Sequence, residues 1–155
     1  MNDNIITVYT DGSCHTQLKI GAWASIILNN NEKIKLSGTE QNTTHNRMEI
    51  QASIESIRYI IEQIAGFQEI NIYTDSQYVV GLLERKNKLK TANFLTKKGE
   101  SIQNPDLVQK FIFLLENYPI KLIKVKAHQK KSELENLNIE VDMMVRRLLR
   151  NNLTI

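Results

Sequence analysis

Apolar and polar positions alternate along IITVYTD (5–11), and the β-branched residues there predict a strand. WASIILN (23–29) and KIKLSG (33–38) predict two more, joined through the polar NNNE as a hairpin. The period then changes. Ile50, Ile54, Ile57, Ile61 and Ile64 recur at spacings of three and four, a stripe down one face of a helix. That helix follows Thr43-Thr44-His45-Asn46 and stops at Ala65-Gly66. INIYTD (70–75) predicts a fourth strand and SQYVVGLLE (76–84) a short helix. From Arg85 to Asn104 the chain is polar, basic and aperiodic, which predicts an exposed excursion. Asn104-Pro105-Asp106 starts a helix running to about Asn117, with proline near its first position. IKLIKVKAH (120–128) predicts the last strand, QKKSELENLN (129–138) a polar loop, and IEVDMMVRRLLRN (139–151) a terminal amphipathic helix. The order is three strands, helix, strand, helices, strand, helix. It predicts an α/β fold with a five-stranded mixed sheet, an antiparallel meander first and parallel strands after it, flanked by helices.

Composition narrows the class without naming a function. A chain of 155 residues is long enough for one domain with a real core, and the expectation is a single domain over 1–155. The sole cysteine, Cys14, allows no internal disulfide, which suits a reducing compartment. MNDNIITVY is not a signal peptide, and no apolar run approaches the roughly 20 residues that span a bilayer. A cytoplasmic protein with no membrane partner is expected, and nothing demands more than a monomer. Net charge is only +3, but its distribution is uneven. Arg85, Lys86, Lys88, Lys90, Lys97 and Lys98 crowd one segment against Glu84 and Glu100, and Lys121, Lys124, Lys126, Lys130 and Lys131 form a second cluster. Such stretches suit a polyanion, because neutralising phosphates releases counterions, yet a solvated lysine-rich surface accounts for them equally well.

The acids change the picture. YTD ends two apolar strands, at 9–11 and 73–75, which puts Asp11 and Asp75 at the rim of a sheet. Neighbouring strands lie about 4.8 Å apart, so two such carboxylates side by side would repel unless a proton or a cation were supplied. Taken singly, each Asp has a simpler account: Asp11-Gly12 is a good turn dipeptide, and Asp75 could cap the helix behind it. Glu49 stands at the start of the isoleucine-striped helix near its core-facing side, and Asp142 opens the terminal helix on a semi-apolar stretch. Four acids from four separated elements, each at an element end, have one economical joint explanation. They form a carboxylate cluster for hard divalent cations, which take oxygen ligands.

YTDGSC, TTHNRMEIQASI, YTDSQYV and a final KVKAH…N…VD together resemble ribonuclease H of the type 1 class, in order and over most of the chain. The resemblance implies that fold and an endonuclease that hydrolyses the RNA strand of RNA–DNA hybrids. It implies that Asp11, Glu49, Asp75 and Asp142 are the catalytic acids and hold two Mg²⁺, with Mn²⁺ as a substitute. One ion would activate a water and the other stabilise the leaving 3′ oxygen, about 3.5–4 Å apart, giving 5′-phosphate and 3′-hydroxyl ends. His128 matches the histidine of a loop beside the site, a proton shuttle or an aid to product release. Asn46, Gln77 and the backbone of Gly12, Ser13 and Cys14 match the groups that read the ribose 2′-hydroxyl. Thr44 and Asn104 match a pocket for a phosphate of the DNA strand, and Lys86, Lys88 and Lys90 lie in a basic protrusion along the hybrid. No separate hybrid-binding domain is expected.

The chain also departs from the family pattern. HTQLKIGAW replaces a loop often rich in Gly and Pro, the spacing from His128 to Asn138 is long, and MMV follows Asp142. Leu89 stands where some members carry an aromatic, and Asn42 where several carry Arg. Two alternatives follow: a hybrid-binding module of the same fold with little turnover, and a DNA-directed nuclease of the wider superfamily.

Overall fold

The computed structural model describes residues 4–126 and 133–153, with the side chains of 133–136 excepted. Strand β1 (Ile5–Cys14) hydrogen-bonds antiparallel to β2 (Gly21–Asn29), which pairs antiparallel with β3 (Glu32–Glu40). After helix α1 (His45–Gln63), β4 (Glu69–Thr74) lies parallel to β1 on its other side, and β5 (Ile120–Lys124) lies parallel to β4. Between β4 and β5 run α2 (Gln77–Glu84), α3 (Lys86–Thr91) and α4 (Pro105–Asn117), and α5 (Glu133–Leu153) closes the chain. The sheet order is β3-β2-β1-β4-β5, the mixed five-stranded arrangement that the element order implied.

Alternation along the strands splits the core into two layers. Ile6 and Val8 of β1, Ile27 of β2 and Ile70 and Ile72 of β4 pack against Ile50, Ile54, Ile57 and Ile60 of α1 and Phe111 of α4. On the opposite face Tyr9, Ala22, Ala24 and Ile26 meet Val141 and Val145 of α5. Each fully buried isoleucine contributes about 1.5–3 kcal/mol of transfer free energy, which is why the stripe on α1 decides where that helix sits. Local signals fix its start: Thr44 Oγ1 accepts from the Arg47 backbone N–H at 3.1 Å.

Three expectations need correction. The segment 85–104 is not simply an exposed excursion, because it contains α3 and is anchored by Leu89, which is 8 % exposed, and by half-buried Phe94 and Ile102. These apolar residues follow no helical or strand period, so a pattern search passes over them. The residues 133–138, expected in a polar loop, already belong to α5. Leu137, Val141 and Val145 form one stripe at spacing four, so packing extends the helix backwards through the Glu- and Leu-containing segment. The final strand ends at Lys124 rather than reaching 128, and residues 127–132 lie outside the described part.

One surface contact ties α1 to α4. Arg47 Nη1 and Nη2 donate to Asp106 Oδ1 and Oδ2 at 3.1 and 2.8 Å, a two-pronged pairing. The guanidinium holds the Asp106 carboxyl down at about 2. A depressed carboxylate stabilises the fold fully above its unfolded value, near 4, and loses that effect as pH falls through 2. Because Asp106 is exposed, the pair is worth only about 0.2–1 kcal/mol. Asp106→Asn should lower the unfolding free energy by that small amount at pH 7 and make no difference well below pH 2, as paired urea titrations would show.

Candidate active site

The two YTD segments are register partners. The parallel ladder between β1 and β4 matches Val8 with Ile72 and Tyr9 with Tyr73, so Thr10 and Asp11 stand level with Thr74 and Asp75. The tyrosine rings stack with centroids 4.9 Å apart at 13°, and both threonines are fully buried. Each letter therefore has one place: a ring pair in the core, a buried threonine, an acid at the rim. The simpler accounts of the two aspartates do not apply. Asp11 and Gly12 lie within β1, paired with Ala24 and Trp23, so they form no turn. The cap of α2 is Ser76, whose Oγ accepts from Val79 N at 3.1 Å, so Asp75 is not needed there.

A third acid arrives from the helix above. At Gly12 a Cβ would come within 2.5 Å of the Met48 carbonyl carbon and 2.6 Å of the Glu49 nitrogen, so the α1 backbone rests directly on β1. That contact carries Glu49 into the rim, where it is 2 % exposed. One carboxylate oxygen each from Asp11, Glu49 and Asp75 lies within 4.8 Å of the others. Asp142 is not part of that trio. It lines the same cleft of about 390 Å³ beside Asp11, and pairs through Oδ2 with Arg146 Nε at 3.0 Å. It does not open α5 as expected, since the helix begins at Glu133.

Burial and mutual repulsion raise the acids. Desolvation, then the charges of Glu49 and Asp75, push Asp11 up to about 9. Glu49 and Asp75 are raised as well, in both cases chiefly by burial. Crowded carboxylates of this kind are a poor choice for stability and a good one for binding a dication. The donors are all oxygen, as hard divalent ions require, and Glu49 Oε2 is buried with no hydrogen-bond partner among the described residues. The residues present fit such an ion.

The other expected residues distribute unevenly. Gly12, Ser13, Asn46 and Gln77 line the cleft, together with Ser76 and Tyr78. Cys14 does not line it, and its Sγ lies 3.4 Å from the Thr43 carbonyl oxygen. Thr44 and Asn104 stand beside Arg47. Thr44 caps α1, while Asn104 Oδ1 accepts from Arg47 Nη1 at 3.4 Å and Asn104 Nδ2 donates to Tyr78 Oη at 3.3 Å. Lys86, Lys88 and Lys90 lie on α3, with Lys90 Nζ bound to Glu116 Oε2 at 2.8 Å. Leu89 faces the core, so an aromatic's role in stacking on a sugar has no counterpart at that position. Asn42 adopts φ 53°, a left-handed conformation that asparagine tolerates better than most residues. His128 lies outside the described residues.

Sequence reasoning missed His45. Its ring Nε2 lies 3.2 Å from Glu49 Oε1, and pairing with that carboxylate raises the imidazole above its ordinary value. The i,i+4 spacing to Glu49 within THNRME was the available signal.

Comparison with known proteins agrees with this geometry. A family model described as RNase H matches residues 3–150. Ribonuclease H of Thermoanaerobacter sp. (strain X514) is 34 % identical over 141 residues, covering 88 % of this chain and 86 % of that protein. Ribonuclease H of Caldicellulosiruptor saccharolyticus is 32 % identical over 147 residues, covering 94 % and 96 %. Among solved structures, LC9-RNase H1, a type 1 RNase H with the type 2 active-site motif, superposes with a TM-score of 0.79. It is 20 % identical and covers 95 % of this chain and 72 % of that one, a likeness of fold. With a shared fold, a family match along nearly its whole length and an acid cluster at the sheet rim, the chain belongs to the ribonuclease H family, hydrolases that act on RNA–DNA hybrids.

Proposed function

We propose that the cleft cuts the RNA strand of RNA–DNA hybrids internally, using two Mg²⁺ held by Asp11, Glu49, Asp75 and Asp142 and leaving 5′-phosphate and 3′-hydroxyl ends. The observation that carries this reading is the convergence of Asp11, Glu49 and Asp75 within 4.8 Å, with Asp142 on the same cleft, against their own repulsion. Divalent ions, Mg²⁺ or Mn²⁺, supply the Lewis acidity that activates water and neutralises charge gathering on the phosphate. The protein's part is positional. Asp11, Glu49 and Asp75 present their oxygens together at the rim, and Asp142 stands beside them on the same cleft. Gln77, Asn46 and Ser13 offer polar groups along the cleft wall, where a ribose 2′-hydroxyl would be read. Thr44 Oγ1 accepts a backbone N–H and keeps its own hydroxyl proton for a phosphate. Lys86 and Lys88 lie on α3, where no ion pair engages them among the described residues, and suit the other strand's backbone.

The same reading places the chain in the cytoplasm as a monomer acting through one domain. It draws on the single cysteine and on there being no helix among the described residues long and apolar enough to cross a membrane. Strand choice and end chemistry are tested together with a hybrid whose RNA strand carries four consecutive ribonucleotides within DNA. Cuts confined to the ribonucleotide block, with ends that a ligase rejoins directly, support the reading. Cutting within the DNA, or ends that carry a 3′-phosphate, would overturn it.

A further inference from the structure

We propose that His45 is a positioning residue for Glu49: its ring N–H fixes one carboxylate oxygen and so presents the other to a divalent cation. This rests on the reading of the acid cluster as a metal site. Glu49 is 2 % exposed, so water does not satisfy its oxygens. Its two oxygens are treated differently. Oε1 lies 3.2 Å from His45 Nε2, whereas Oε2 is buried with no partner among the described residues. An unpaired carboxylate oxygen deep in a protein is costly unless something else binds it, and ligand oxygens of Asp11 and Asp75 lie within 4.8 Å to share a cation with it.

His45 is placed to do this by the helix itself. It is the first residue of α1 and Glu49 lies one turn on, so the two side chains share a face. The imidazole is 60 % exposed on the cleft side, and its stiff ring reaches Glu49 from the solvent edge of the cleft. A donor on Oε1 stops the carboxylate from rotating and from offering both oxygens to one ion. Groups that orient a metal ligand in this way commonly affect metal affinity by about 10–100-fold. His45 is not itself among the residues whose donor atoms converge within 4.8 Å, so its effect passes through Glu49.

The test is Mn²⁺ binding to the metal-free protein, followed by electron paramagnetic resonance and by calorimetry, with no substrate present. His45→Leu removes the donor, His45→Gln keeps an N–H at a similar reach, and Glu49→Gln removes the ligand. The expected result is a roughly tenfold weaker Mn²⁺ affinity in His45→Leu, substantially restored in His45→Gln, with metal-free melting temperatures close to the parent. Unchanged affinity in His45→Leu, or equal loss in the Leu and Gln variants, would overturn the proposal while leaving the metal site standing. If Glu49→Gln binds Mn²⁺ as the parent does, the metal reading of the cluster fails first and the role of His45 falls with it.

Discussion

Asp11→Asn is expected to leave no measurable cleavage of an RNA–DNA hybrid and, in the metal-free state, to melt higher than the parent. Asp11 is 8 % exposed, faces Glu49 and Asp75, and shares the cleft with Asp142. The neutral amide keeps the volume and loses the charge that a dication needs. A metal site contributes several kcal/mol of transition-state stabilisation, so the rate should fall on the order of 10³-fold or more. Stability moves the other way. With its carboxyl raised to about 9 in the fold and near 4 when unfolded, Asp11 keeps its proton longer in the native state. The native state then binds more protons across that window, and metal-free stability declines as pH rises from about 4 towards 9. Asn carries no such proton, so the variant should gain about 0.5–2 kcal/mol at neutral pH and show a flatter pH profile. In a chain of this length that is about 2–4 °C per kcal/mol, readable by differential scanning calorimetry in EDTA at several pH values. Glu49 and Asp75 are raised in the same direction, so some slope remains. A metal-free Asp11→Asn protein that melts well below the parent would contradict the crowded-carboxylate account.

Gly12→Ala is expected to damage the site without touching any of its acids. The added Cβ meets backbone, with Met48 carbonyl carbon at 2.5 Å, Glu49 nitrogen at 2.6 Å and Met48 carbonyl oxygen at 2.7 Å. No side chain can turn aside to make room, so α1 must lift from β1. Overpacking of this kind costs about 1–3 kcal/mol. The functional loss should be larger than the stability loss implies, because the lift separates Glu49 from Asp11 by several tenths of an ångström or more. Small displacements of reacting groups cost about 10²-fold in rate. The expected result is a melting point lowered by several degrees, a weaker Mn²⁺ affinity, and at least a 10²-fold slower cut at a temperature where the variant is fully folded. Activity near the parent's in a folded variant would show that the strand and helix have slack that the structure does not indicate.

These two residues also show how the sequence conveys its fold. The isoleucine stripe from Ile50 to Ile64 and the alternating strands fixed the sheet and its main helix, because burial follows periodicity and the period was clean. The rim acids were legible because each interrupts or borders an apolar run, although Asp11 lies inside β1 and Asp142 well inside α5. Gly12 was legible as a turn residue and as a substrate-facing backbone, but not as a packing position, since a glycine that admits a neighbouring backbone looks the same in sequence as one that makes a bend. The actual reason lies in a contact with Met48 and Glu49, far away along the chain. His45 was passed over because a histidine at a helix start is usually solvated, and only the burial of Glu49 gives it work. The structure of 86–91 was missed for another reason: Leu89, Phe94 and Ile102 reach the core from irregular positions, and tertiary packing rather than period holds them. The start of α5 was read too late because polar residues around Leu137 resembled a loop until Val141 and Val145 were seen to continue its stripe.

The central claim is that this acid cluster cuts RNA paired to DNA. The most direct measurement runs the parent and Asp75→Asn side by side on an end-labelled RNA–DNA hybrid, with RNA duplex and DNA duplex as controls, in Mg²⁺ and in Mn²⁺. The account predicts that the parent cuts the RNA of the hybrid and neither control, and that Asp75→Asn cuts nothing. A parent that binds the hybrid but leaves it intact in both metals would contradict it, and the fold would then be a binding module that keeps its carboxylates for another purpose.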